Sequence, residues 1–177
     1  MDTIEAIHSR RSIRVYVPKP VERDLIEDVI YDAAQAPPPF SGQIPWTFNV
    51  IQGIDRIAEL GQRAMEYARA HDTGDARLSA INRPGFDIFW SAPVLVVISG
   101  EPSDCCRAGQ NLMLSAHARG LGTCWVGSPM PWLRTDVAKS ELQIPAGQTP
   151  VVAMCLGYPH STPASPPRVD PPIIWVP

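Results

Sequence analysis

An α/β sandwich in a single domain is the fold class the sequence predicts, and three observations predict it. The run Val94-Leu95-Val96-Val97-Ile98, bounded by Pro93 and Gly100, is apolar at every position, the mark of a strand covered on both faces. Residues 104–119 make the strongest helical stretch, with Leu112, Leu114, Ala116 and Ala118, and Gly120 stands where a C′ glycine belongs. Strand-like and helix-like segments alternate over the rest of the chain.

In order, Thr3 is placed to cap a short helix over residues 4–9, with Ile4 and Ile7 on one face. Pro20 precedes a second helix, 22–36, in which Leu25, Ile26, Val29, Ile30, Ala33 and Ala34 keep the ~3.6-residue period until Pro37-Pro38-Pro39 ends it. Glu22, Asp24, Glu27 and Asp28 read as its solvated start, favourable to the helix dipole. Residues 47–52 alternate as a strand does, and 54–70 form an amphipathic helix with Ile57, Leu60, Ala64 and Met65 inward. Residues 71 to about 82 are polar and do not declare a helix or a strand. Residues 123–126 and 151–156 read as further buried strands, separated by a helix near 132–140. From Tyr158 the chain is rich in proline and ends in Ile173-Ile174-Trp175-Val176. Residues 159–177 are therefore expected to form an extended arm of the domain made by residues 1–158.

The 177 residues suffice for one core without disulfides. The start of the chain carries Asp2, Glu5, Arg10 and Arg11 with no apolar leader, and no run approaches the ~20 residues of a membrane span. A cytoplasmic protein with neither a membrane nor a nucleic-acid partner is the expectation. Cys105 and Cys106 are adjacent on a helix, Cys124 and Cys155 lie in strands, and none forms a C-x-x-C pair. His8, His71, His117 and His160 lack metal-ligand spacing, so no metal site is expected. Neither G-x-G-x-x-G nor G-x-x-x-x-G-K occurs, and Gly120-Leu121-Gly122 follows a helix where a Rossmann turn would precede one.

Against a net charge of −3, Arg10-Arg11-Ser12-Ile13-Arg14 reverses the local sign. Guanidinium forks with a hydroxyl among them match a phosphate dianion, which accepts bidentate charge-assisted hydrogen bonds. His117 reads instead as a packed or surface histidine, and Cys124 as a small core residue. Trp125 and Trp132 suit either the core or a pocket wall.

Four segments taken in order resemble the nitroreductase family of FMN-dependent oxidoreductases. They are Arg10-Arg11-Ser12-Ile13-Arg14, the loop from Ala36 through Ser41-Gly42-Gln43-Ile44-Pro45-Trp46 to Phe48, Gly120-Leu121-Gly122-Thr123-Cys124-Trp125-Val126-Gly127, and Gly157-Tyr158-Pro159 with Arg168. The resemblance implies an α+β three-layer sandwich, a central, mostly antiparallel sheet flanked by helices, with the C-terminal arm exchanged in a homodimer. It assigns Arg10, Arg11, Ser12 and Arg168 to the FMN phosphate and ribityl chain, and Arg14 to the N1 and C2-carbonyl edge of the flavin. It sets Gly127 and Ser128 at the turn facing N5, and Ser41, Gly42 and Gln43 at the pyrimidine edge. In that last loop the family commonly shows N-x-Q-P-W, whereas this chain has Ser41-Gly42-Gln43-Ile44-Pro45-Trp46.

The implied reaction is ping-pong hydride transfer from NADH or NADPH through flavin N5 to a small electron-poor acceptor, a nitroaromatic or a quinone, with no catalytic side chain required. The alternatives are a specialised enzyme of the same fold, for flavin fragmentation, reductive dehalogenation or ring oxidation, and a flavin-binding protein without turnover.

Overall fold

The computed structural model describes residues 1–39, 45–71 and 81–176. Four strands, β1 (Trp46–Gln52), β2 (Val94–Gly100), β3 (Gly122–Trp125) and β4 (Pro150–Gly157), form one sheet in the order β1-β2-β4-β3. Every neighbouring pair is antiparallel. The fold is therefore α+β, as the resemblance implies, and the strand–helix alternation does not build parallel crossovers. After β1 the chain comes back to the end at which that strand finished: the N–H of Gly53 donates to the Pro93 carbonyl at 3.0 Å, so β2 begins beside the end of β1 and runs antiparallel to it.

The two central strands explain the unbroken apolar runs. On β2, Leu95 and Val97 enter one core while Val94, Val96 and Ile98 enter the other; on β4, Ala153 and Cys155 oppose Val152, Met154 and Leu156 in the same way. Among the described residues six helices flank the sheet: α1 (Thr3–Ser9), α2 (Arg23–Ala33), α3 (Ile54–Ala70), α4 (Pro102–Ala118), α5 (Met130–Leu133) and α6 (Asp136–Glu141). Helix α3, which follows β1, packs its Ile57, Leu60 and Ala64 on one face of the sheet with α5 and α6, while α2 and α4 cover the other.

Several boundaries differ from the sequence reading for local reasons. Asp2, not Thr3, caps α1, its carboxylate accepting the Glu5 N–H at 2.9 Å. Helix α2 stops at Ala33, three residues short of Ala36. Helix α4 begins at Pro102, behind a Glu101 cap that accepts the Ser103 and Asp104 N–H groups. The single helix expected near 132–140 is two, because the Thr135 hydroxyl caps α6 afresh through the Ala138 N–H. At the other end of α4, Gly120 adopts φ +79° and the N–H of Leu121 returns to the Ala116 carbonyl at 2.8 Å, a Schellman close. Beyond His160 the described arm is exposed and forms neither helix nor strand, with Ile174 85% and Trp175 88% exposed.

Candidate functional site

The Schellman turn delivers Gly122 to the start of β3, and the chain after α1 lies down on that strand. Ser12 bridges Thr123 in parallel, and the Ile13 N–H donates to the Thr123 carbonyl at 2.8 Å. Further along, the Val17 N–H donates to Tyr158 O at 2.9 Å and the His160 N–H to Val15 O at 3.0 Å. Three of the sequence segments thus meet at one sheet edge. Gly122 is required there, because a Cβ would lie 2.5 Å from Ile13 Cγ1.

Arg10 and Arg11 leave the end of α1 into this corner, both half-buried. Arg11 Nη1 donates to the carbonyls of His8 and Arg10, each at 2.7 Å. Arg10 Nη1 is buried with no hydrogen-bond partner among the described residues. Burial first, then the charges of Arg11 and Arg168, hold the Arg10 guanidinium below the ordinary arginine value. Arg10, Arg11 and Arg168 are therefore one electrostatic cluster, and among the described residues no carboxylate pairs with any of the three. A buried donor aimed at nothing, amid like charges, is costly unless an anion completes it.

Arg14 is exposed, and its guanidinium lies 5.7 Å from the centroid of the Trp90 ring, within cation–π range. Trp90 was not singled out by the sequence. It and Ser91 adopt φ of +60° and +51°, a conformation side chains resist. Asp87 holds the turn, accepting the Phe89 N–H at 2.9 Å and the Ser91 N–H at 2.6 Å.

Gly127 and Ser128 follow β3 at the turn into α5, where the Met130 N–H donates to Gly127 O at 3.1 Å. A Cβ on Gly127 would meet no atom within 4 Å, so the backbone there is open to close approach. Gly127 is four residues from Thr123, a span of at most about 14 Å. Ser41, Gly42 and Gln43 lie outside the described residues. Trp132 is core, 5% exposed, while Trp125 is half-buried over Gly109. Cys124 and Cys155 are buried cross-strand partners, and burial raises both thiols. No helix among the described residues is long and apolar enough to cross a membrane.

A three-layer sandwich with an arginine corner on its β3 edge and an open glycine turn at the strand's far end defines the class. The nitroreductase family model matches residues 7–158, and the chain belongs to that family. A protein of Methanothermobacter thermautotrophicus, named for NADH dehydrogenase or NAD(P)H nitroreductase activity, is 30% identical over 97% of this chain and 84% of its own. The 4-nitrobenzoate reductase of Pseudomonas putida is 28% identical over 86% of this chain and 83% of its own. A Bacteroides fragilis nitroreductase solved with bound FMN matches with a TM-score of 0.84, at 23% identity, over 99% of this chain and 98% of its own.

Proposed function

We propose that this protein is an FMN-dependent oxidoreductase that takes hydride from NADH or NADPH and delivers it to an electron-poor acceptor such as a nitroaromatic or a quinone. The observation that carries the reading is the unpartnered, buried Nη1 of Arg10 beside Arg11 and Arg168. A phosphate dianion supplies the missing acceptor and neutralises the cluster, which is the fit FMN requires. The names of the archaeal and Pseudomonas relatives support the reductive half of the reading.

When bound, FMN supplies the hydride chemistry, accepting from the nicotinamide and giving to the acceptor. The chain's own residues bind and tune it. Arg10, Arg11, Ser12 and Arg168 hold the phosphate end; Arg14 supplies a positive field that favours the reduced, negatively charged ring; and the open backbone of Gly127 and Ser128 permits close approach. With no dinucleotide-binding loop in the sequence, nicotinamide and acceptor use one place in turn.

The chain acts as a homodimer with the arm laid on the partner. Four apolar side chains, Ile173, Ile174, Trp175 and Val176, stand 68–88% exposed, and burying each is worth about 1.5–3 kcal/mol. β1 is the edge strand opposite the one the Ser12 segment covers, and it offers a ladder to an extended apolar segment.

Anaerobic addition of NADH or NADPH to the FMN-loaded protein tests the reading. Bleaching of the flavin followed by reoxidation with a nitroaromatic or quinone supports it. Bound flavin that neither nicotinamide reduces identifies a binding protein without turnover.

A further inference from the structure

Helix α1 ends on Ser9, one residue before Arg10, and Ser9 is tied to α4. Its hydroxyl donates to the Glu5 carbonyl at 2.7 Å and lies 2.7 Å from His117 Nε2. A hydroxyl has one proton, and Glu5 O takes it, so Nε2 carries a hydrogen and donates to Ser9 Oγ. Nδ1 is left as the nitrogen that gains or loses the ring's charge. His117 is half-buried, hydrogen-bonded to the residue just before Arg10, and within the electrostatic reach of Arg10 and Arg11.

We propose that His117 is a further residue of the anion site, a positioning residue that takes up a proton when a phosphomonoester binds Arg10, Arg11 and Arg168. The proposal rests on the phosphate reading of that cluster and goes beyond it, because it gives the site a titrating member. The charged groups that act on His117 are Arg10 and Arg11 after α1 and Glu5 on α1. Helix α2, also packed on α4, engages Ser115 and Arg119 through Asp32 instead. Burial first, then the two arginines, keeps the free imidazole below the usual histidine value, with Glu5 opposing.

A dianion at the cluster offsets the repulsion from Arg10 and Arg11, so the imidazole binds its proton more tightly in the complex than in the free protein. The sign follows: His117 strengthens phosphate binding as pH falls through the interval between its free and bound values. In the neutral form it still holds Ser9, and through it the entry of Arg10 into the corner.

The test compares the wild-type chain with His117→Gln, which keeps a donor toward Ser9 but cannot charge. FMN and riboflavin are titrated from about pH 8 to about pH 5.5. The phosphate's own second ionisation, near pH 6, affects both proteins alike, so the readout is the ratio of their affinities. For FMN that ratio should rise about three- to tenfold toward low pH, and for riboflavin it should stay flat. In proton NMR of the wild type, the His117 resonance, assigned by its loss in the variant, should titrate at higher pH with FMN or inorganic phosphate than without. A pH-flat FMN ratio, an equal rise with riboflavin, or an unmoved titration overturns the role of His117 while leaving the flavin reading intact. Failure of the wild type to bind FMN at any pH overturns the flavin reading itself.

Discussion

Ile13 is seated against Gly122 so closely that a single added carbon at position 122 would fall 2.5 Å from Ile13 Cγ1. That contact sets the segment carrying Arg10, Arg11, Ser12 and Arg14 on the β3 edge, since Ile13 is 3% exposed and its N–H donates to Thr123 O. Gly122→Ala should therefore cost about 1–3 kcal/mol of stability through overpacking. It should also weaken FMN binding, because Ser12 and the arginines shift together. Urea denaturation and FMN titration of the variant check both, and an unchanged affinity would detach the site from this contact.

Arg10 and Arg11 are not equivalent. Arg11 already donates to two backbone carbonyls, whereas Arg10 Nη1 waits for an acceptor. At about 1.5–3 kcal/mol per charge-assisted hydrogen bond, Arg10→Ala should weaken FMN about ten- to a hundredfold, and Arg11→Ala by the same amount or less. Riboflavin, lacking the phosphate, should lose little in either variant. Equal losses for both ligands would mean the arginines hold structure, not phosphate.

The role proposed for Arg14 is electrostatic. Arg14→Ala should lower the reduction potential of bound FMN, measured by potentiometry at saturating FMN, because a cation nearby favours the reduced anion. Trp90→Leu should shift the potential in the same direction by less, since it removes the ring over which the guanidinium rests. An unshifted potential in Arg14→Ala removes that residue from the role.

These contrasts mark how far the sequence reached. The central strands, α3 and the Gly120 close were legible because continuous apolar runs, a 3.6-period face and a positive-φ glycine are local signals. The antiparallel sheet followed from the family resemblance and not from the strand–helix alternation, because strand direction depends on where the connecting segments return the chain. The cluster from Arg10 to Arg14 stood out in the sequence by its charge, and the structure places it on the β3 edge beside the segments it was grouped with. The contacts of Trp90 with Arg14 and of His117 with Ser9 were not legible, since they join residues distant in sequence across the fold. The split of α5 from α6 turned on one threonine hydroxyl, which a helical pattern does not announce.

Glu141 ties α6 to α3 by accepting from Arg63 at 2.5 Å and from Arg56. Those bonds, that to Arg63 foremost, hold its carboxyl below the ordinary carboxylate value despite partial burial. A depressed folded value stabilises the fold above the unfolded value of about 4.3 and is lost as pH falls through the folded one. Glu141→Gln should cost about 1 kcal/mol near neutrality, less in high salt, and nothing at the acid end. Thermal melts across pH and salt read this directly.

Truncation after Tyr158 removes Arg168 and the apolar tip together. Sedimentation should show a weakened dimer and titration a weakened FMN complex, both from one deletion. Arg168→Ala in the full-length chain should weaken FMN alone and leave the dimer intact. A truncated chain that remains a dimer with full FMN affinity would remove the arm from both roles.

The visible spectrum of the purified protein, followed by FMN titration, bears most directly on the phosphate site proposed at the Arg10–Arg11–Arg168 corner and on the flavin chemistry built on it. The account predicts a yellow protein, or a colourless one that takes up FMN more tightly than riboflavin, with the preference collapsing in Arg10→Ala. A chain that binds no FMN, or binds riboflavin equally well, contradicts it.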